Sequence, residues 1–223
     1  MTIPHTHYPL PNLEAIRALH FTEDGESLRV LGARPVTYFE AFGLPVRLQV
    51  DVEKLRDAFL DLSRRIHPDF YATKGELLRE ESLRRSSLLN NAHKALRDPQ
   101  KRAEYLISLY GIGIDSSKNA APPEMLEEMF DIQEAGEELK AARLSGDGAA
   151  LTAAEGRVAP LREEIRGARA KLQEMLTEQF SKFDTQLDTN PDITAAEAQQ
   201  WLRAIRVTLD RMNYLRTVIR NLS

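Results

Sequence analysis

The residues with the most chemical content are three consecutive ones, His67, Pro68 and Asp69. They join an imidazole, a ring that fixes its own φ and a carboxylate that can pair with a guanidinium on another molecule. Together they suit recognition rather than bond breaking. His67 has no Ser or Cys nucleophile near it in sequence, and the chain has no cysteine at all. There is no Gly-rich phosphate loop, no GxSxG, no HExxH and no pair of carboxylates in an apolar run. The absence of cysteine also excludes disulfide scaffolds, Cys-ligated zinc and thiolate-held iron–sulfur clusters. His5 and His7 lie in a proline-rich start and make no metal site by themselves. The expectation is a chain that is not an enzyme and carries no cofactor and no metal.

The elements around this tripeptide must position it. Before it, Asp51 is a good N-cap for VEKLRDAFLDLSRRI. There Val52, Leu55, Phe59, Leu62 and Ile66 step by three and four, the period of an amphipathic helix. Pro68 disfavours helical backbone at His67 and ends that helix. After it, a polar loop through Lys74-Gly75 leads into a long helix from Glu76 to Arg97, buried through Leu78, Leu88, Leu89, Ala92 and Leu96. Asp98-Pro99 opens another helix to Leu109, stopped by Gly111. A short helix closed by Gly43 is expected at 38–43. Phe70 and Tyr71 are expected to pack in the core, and His93 to pack between helices.

The second half is helical too. Pro122-Pro123 separates the preceding block from three further stretches, about 124–144, 149–183 and one beginning near Thr194, a cap with Glu197 three residues on. The first buries Met125, Met129, Ile132, Gly136 and Leu139. The second carries Val158, Leu161, Ile165, Ala168, Leu172, Met175 and Gln179, with Pro160 expected to kink or restart it. The third carries Trp201, Ile205, Leu209, Met212, Leu215, Ile219 and Leu222, with Trp201 expected in the core. The chain therefore reads as all-α, with an extension at 1–35, a domain at 36–113, a linker at 114–123 and a three-helix bundle at 124–223. Within 1–35, a helix at Leu13–Leu19 and a hairpin on Asp24-Gly25 fit the residues.

Charge is uneven. The net value is −4 over 223 residues. Residues 36–113 hold 13 basic and 11 acidic side chains, whereas 114–223 hold 14 and 19. One mildly basic and one acidic block predict two surfaces with different partners. A pI near 5.8 speaks against a generic nucleic-acid binder. No apolar run reaches the ~18 residues of a membrane span. The start lacks the basic and apolar segments of a secretory signal, which gives the expectation of a cytoplasmic protein.

With the HPD loop set between these helices, followed by DPQKRAEYL, residues 36–113 resemble the J-domain family. That resemblance implies docking on the ATPase domain of a DnaK-type heat-shock chaperone and stimulation of its ATP hydrolysis. It makes His67, Pro68 and Asp69 the trigger, and Lys54, Arg56, Arg64 and Arg65 the docking face. Arg64 and Arg65 also fit as a solvated end that complements the helix dipole. Phe70 departs from the Lys or Arg that many J-domains have after the tripeptide.

In PEMLEEMFDIQEAGEELKAA, Leu126 and Phe130 are displaced from the buried stripe and run into Glu134 and Glu138, with Asp131 beside them. Such a row fits either a partner surface or a widened core stripe with a solvated face. FGLP, HPDFYA, LNNAHKALRDPQKRAEYLISLYG and MFDIQEAGEEL make the chain, over 36–222, similar to HscB-type J-domain co-chaperones of iron–sulfur cluster biogenesis. That likeness implies an HscA-type chaperone partner and an IscU-type scaffold held by the bundle through Leu126, Phe130, Asp131, Glu134, Glu138 and Tyr214. Glu127 replaces an apolar residue common in that family, and no cysteine-based zinc module precedes the J-domain. Two other readings stand beside it: a J-domain serving a general DnaK-type chaperone and another client, and a helical assembly protein whose HPD is incidental.

Overall fold

The computed structural model describes residues 37–112, 126–190 and 192–222, without the side chains of 126–129 and 221. The readings made for 1–35, for Met125 and for the side chains of Leu126, Glu127 and Met129 lie outside that range. The described secondary structure is helical throughout, with no strand among the described residues. The helices are α1 (Tyr38–Ala41), α2 (Val52–Arg65), a 3₁₀ turn (Pro68–Tyr71), α3 (Glu76–Leu96), α4 (Pro99–Leu109), α5 (Leu126–Ser145), α6 (Gly148–Thr189) and α7 (Ala195–Asn221). No described helix is long and apolar enough to cross a membrane.

Local chemistry explains the boundaries. Thr37 and Glu40 form a reciprocal capping box on α1. Gly43 follows at φ 64°, a conformation that favours glycine. Asp51 caps α2 by accepting the Lys54 N–H. Asp98 caps α4, which has Pro99 in its first turn. Thr194 and Glu197 cap α7 reciprocally. Helix α6 runs six residues beyond its expected end and does not restart at Pro160. Pro160 is exposed, and the residue four before it is Gly156, with nothing within 4 Å of the place its Cβ would take.

The described chain divides into two compact units. Unit 1 holds 37–111 together with Asp184–Ala198. Its α3 packs on α1, α2, the 3₁₀ turn and α4. Phe39, Leu48, Leu55, Leu96, Leu106 and Ile107 are fully buried there. Tyr38 stacks on Tyr105 with centroids 4.1 Å apart and donates its backbone N–H to the Tyr105 hydroxyl at 2.9 Å. The stretch 44–50 has no regular partner strand or helix, so side chains hold it. The Asp184 carboxylate accepts the N–H groups of Leu48 (2.9 Å) and Gln49 (2.7 Å). The buried Arg102 guanidinium donates to the carbonyls of Leu48 (2.6 Å) and Leu96 (2.5 Å). Burial raises the Asp184 carboxyl above the usual carboxylate range, against the opposing pull of those two amides and of Arg47.

Unit 2 holds 126–183 and 199–222 of the described residues. Ala135, Leu139, Val158, Ile165, Leu215, Val218 and Leu222 form its core. Two side chains expected inside are not. The stripe of α6 passes through Leu176, fully buried, so its neighbour Met175 is 45% exposed. The stripe of α7 enters through Leu202 and Ile205, leaving Trp201 at its edge, 37% exposed. Steps of three and four track a 3.6-residue turn only on average, and the choice between adjacent residues falls to the neighbouring helix.

His93, expected to pack between helices, stacks its ring on Phe59 of α2 with centroids 4.2 Å apart and an interplanar angle of 13°. Burial, and then the nearby Arg97, hold its pKa below the ordinary histidine value. A depressed folded pKa means the fold prefers neutral imidazole. The stabilisation is complete above the unfolded value of about 6.5 and is lost as pH falls below it. Urea unfolding of the parent between pH 7.5 and 5 will show this loss. The His93→Phe variant keeps the stacked ring and flattens the profile in that window; an unchanged slope would remove His93 as its source.

Candidate partner-docking sites

The HPD loop is built by the way α2 ends. Ile66 closes the helix through its N–H to the Leu62 carbonyl. Pro68 has no N–H to continue the ladder, so the last carbonyls need other donors. Ser82 Oγ donates to the Ile66 carbonyl at 2.7 Å, and Ser86 Oγ to the same oxygen at 3.2 Å. The Tyr71 hydroxyl donates to the Arg65 carbonyl at 3.3 Å. Ser82 is fully buried and Tyr71 nearly so. Behind them, Glu81 accepts from the buried Arg85 at 2.7 Å and from Arg84. Burial would raise the Glu81 pKa, but the hydrogen bonds from Arg84 and Arg85 outweigh it and hold the carboxyl below its usual range.

On this base sits the tripeptide. His67 Nδ1 accepts the Asp69 N–H at 3.3 Å, so the ring caps the 3₁₀ turn that Pro68 opens. The Asp69 side chain is 88% exposed, its carboxylate 3.4 Å from His67 Nδ1. Tyr71 turns inward, as expected, but Phe70 does not: it is 63% exposed, edge-on to His67 with centroids 6.3 Å apart. Successive residues of a 3₁₀ turn point about 120° apart, so only one of the two aromatics can face α3.

The basic residues of α2 are exposed but mostly paired along their own helix. Lys54 lies 3.4 Å from Asp51, Arg56 3.5 Å from Glu53 and Arg65 2.9 Å from Asp61. Arg64 makes no ion pair among the described residues.

On unit 2, Phe130 is 68% exposed on α5, with Asp131 and Glu134 exposed and Glu138 partly so. Arg157 of α6 binds both Glu138 oxygens at 2.6 Å and stands 3.6 Å from Glu134. Nothing in the sequence pattern marked Arg157 as their counter-ion. Tyr214, expected beside Phe130 as a contact aromatic, is 8% exposed within the core. It shares a face with Val218 and Leu222 at steps of four, and that stripe is the one α7 buries. The hydroxyls of Ser82 and Ser86 were also missed. Their signal was present, since Ser82, Ser86, Leu89, His93 and Leu96 follow one helical stripe. Among the described residues, no group of three His, Asp or Glu is placed to hold a metal ion.

No protein-family model matches the chain. Curated relatives do. The co-chaperone protein HscB homolog of Burkholderia vietnamiensis is 31% identical over 170 residues, 76% of this chain and 87% of the relative. That of Vibrio cholerae is 37% identical over 100 residues, 44% of this chain. The second match spans 58% of that relative's own length. Among solved structures, human co-chaperone protein HscB superposes with a TM-score of 0.57 at 21% identity, covering 91% of this chain and 87% of that one, a likeness of fold.

The hydroxyl donors to Ile66 have a direct test. Each such bond contributes about 1 kcal/mol. In the Ser82→Ala, Ser86→Ala double variant, amide exchange at Asp69, Phe70 and Tyr71 should accelerate about tenfold or more while α4 is unchanged. Parental exchange rates in the loop would show that the hydroxyls do not hold it.

Proposed function

The chain belongs to the HscB co-chaperone family, and from that premise we propose that it is a two-ended adaptor. One end, through His67, Pro68 and Asp69 on unit 1, docks on the ATPase domain of an HscA- or DnaK-type heat-shock chaperone and accelerates ATP hydrolysis. The other, through Phe130, Asp131, Glu134 and Glu138 on unit 2, holds an IscU-type iron–sulfur scaffold as the client. Leu126 extends that surface by its position four residues before Phe130. Tyr214, being buried, supports the surface from within instead of touching the client.

The observation that carries this reading is the exposure of Asp69 at the tip of a hydrogen-bonded bend. A carboxylate carried on a hydrogen-bonded turn and open to solvent can take a guanidinium of the partner in a charge-assisted pair. It carries no bond-making chemistry, which suits a protein that changes another protein's rate. Phe130 supports the client end in the same way. An aromatic left two-thirds exposed beside carboxylates is the composition of an interface anchor.

The two ends separate by mutation. Asp69→Asn should abolish stimulation of a purified HscA-type ATPase and leave the scaffold Kd, read by calorimetry, unchanged. Phe130→Ala should raise that Kd about tenfold or more and leave the stimulated ATPase rate intact. Stimulation by Asp69→Asn at the parental level sinks the chaperone assignment. Undiminished capture by Phe130→Ala sinks the client site.

A further inference from the structure

Helix α2 has the right charge type for an acidic partner surface, yet little net charge to offer. Within Val52–Arg65 there are four basic residues, Lys54, Arg56, Arg64 and Arg65, against Glu53, Asp57 and Asp61. The cap Asp51 cancels the surplus. Three of the four cations sit in pairs along the helix itself. Long-range steering depends on net charge and fades beyond a Debye length of about 8 Å at physiological salt. This helix therefore supplies orientation and modest attraction at best.

Next to Asp69 stands an aromatic ring in its place. Phe70 is 63% exposed, although its neighbour Tyr71 is nearly fully buried. The 3₁₀ turn fixes its backbone, with the Phe70 N–H bonded to the His67 carbonyl at 3.0 Å. Its ring is steadied edge-on by His67, the first residue of the trigger. Its backbone is already fixed by the turn, so ordering it on binding costs little further freedom.

We infer that Phe70 is a specificity-determining contact for the chaperone: it docks in an apolar depression beside the acceptor of Asp69 on the ATPase domain. This rests on the functional reading above. Apolar burial takes over part of the affinity that a cationic helix would otherwise provide. The interaction then depends weakly on salt, and a chaperone lacking the depression is discriminated against.

The experiment measures stimulation of the HscA-type ATPase by the full chain as a function of its concentration, at several salt concentrations. The parent should show a shallow salt dependence. Phe70→Ala should raise the half-maximal concentration about tenfold and preserve the maximal rate, since the trigger Asp69 is untouched. Phe70→Arg should regain affinity at low salt and lose it steeply as salt rises. Unchanged thermal melting of both variants verifies the fold.

If Phe70→Ala matches the parent in half-maximal concentration, the inference is overturned. The same holds if the variant alters only self-association in sedimentation, which would assign the ring to a second copy. A parent that gives no stimulation at all overturns the functional reading as well, and is distinguished by that alone.

Discussion

The HPD bend depends on how one carbonyl oxygen, that of Ile66, is satisfied. A helix end leaves its last carbonyls without intrahelical donors, and Pro68 removes an N–H that could have served. Left bare and buried, such an oxygen costs about 1–3 kcal/mol. Here Ser82 and Ser86 of α3 supply the donors, and Tyr71 serves the carbonyl before it. The bend is thus not a property of the tripeptide alone. It is set by the packing of α3 on α2, and His67 and Asp69 inherit their positions from that packing. This explains a buried serine on a helix face where an apolar residue would give more transfer energy.

The same need recurs in unit 1 at 44–50. A chain segment without regular structure cannot be buried unless each backbone group finds a partner. Arg102 and Asp184 serve this purpose from two separate helices, one taking carbonyls and one taking amides. The Asp184 charge acts against the desolvation of Arg102, and Arg47 and the two amides act against that of Asp184. Arg47 then ties the segment's flank to Asp188 at 2.5 Å. The unit is held by buried polar groups such as Arg102 and Asp184 as well as by buried Leu, Phe and Ile.

Much of this was legible in the sequence, for physical reasons. Caps are local: Asp51, Asp98-Pro99 and Thr194 set their helix starts through contacts two or three residues away, so the helices stand where the residues put them. The amphipathic stripe of α2, with Leu55 and Ile66 buried, is local too. What failed is what depends on distant partners. Phe70 and Tyr71 are equal candidates for burial until α3 chooses one. Trp201 and Tyr214 reverse their expected places: Leu202 rather than Trp201 carries the buried stripe, and Tyr214 joins the core of unit 2. Asp184 looks like a solvated helix residue, and its partners lie about 135 positions away in the chain.

The two proposed docking surfaces share one arrangement of forces. On α2 Lys54, Arg56 and Arg65 are paired with Asp51, Glu53 and Asp61; on α5 Glu134 and Glu138 share Arg157. Exposed pairs of this kind contribute little to the fold, because solvent screens them. A partner can therefore exchange them for its own charges at little cost, and little is gained by the exchange. Charge in such a setting selects the partner and fixes the register more than it adds affinity. On the proposed reading much of the affinity comes from burial of apolar surface, and at each end an exposed phenylalanine, Phe70 or Phe130, offers part of it. An exposed aromatic beside partly compensated charge suits an adaptor that must bind and release: the ring is small enough to leave, and several of the charges have partners of their own when it does.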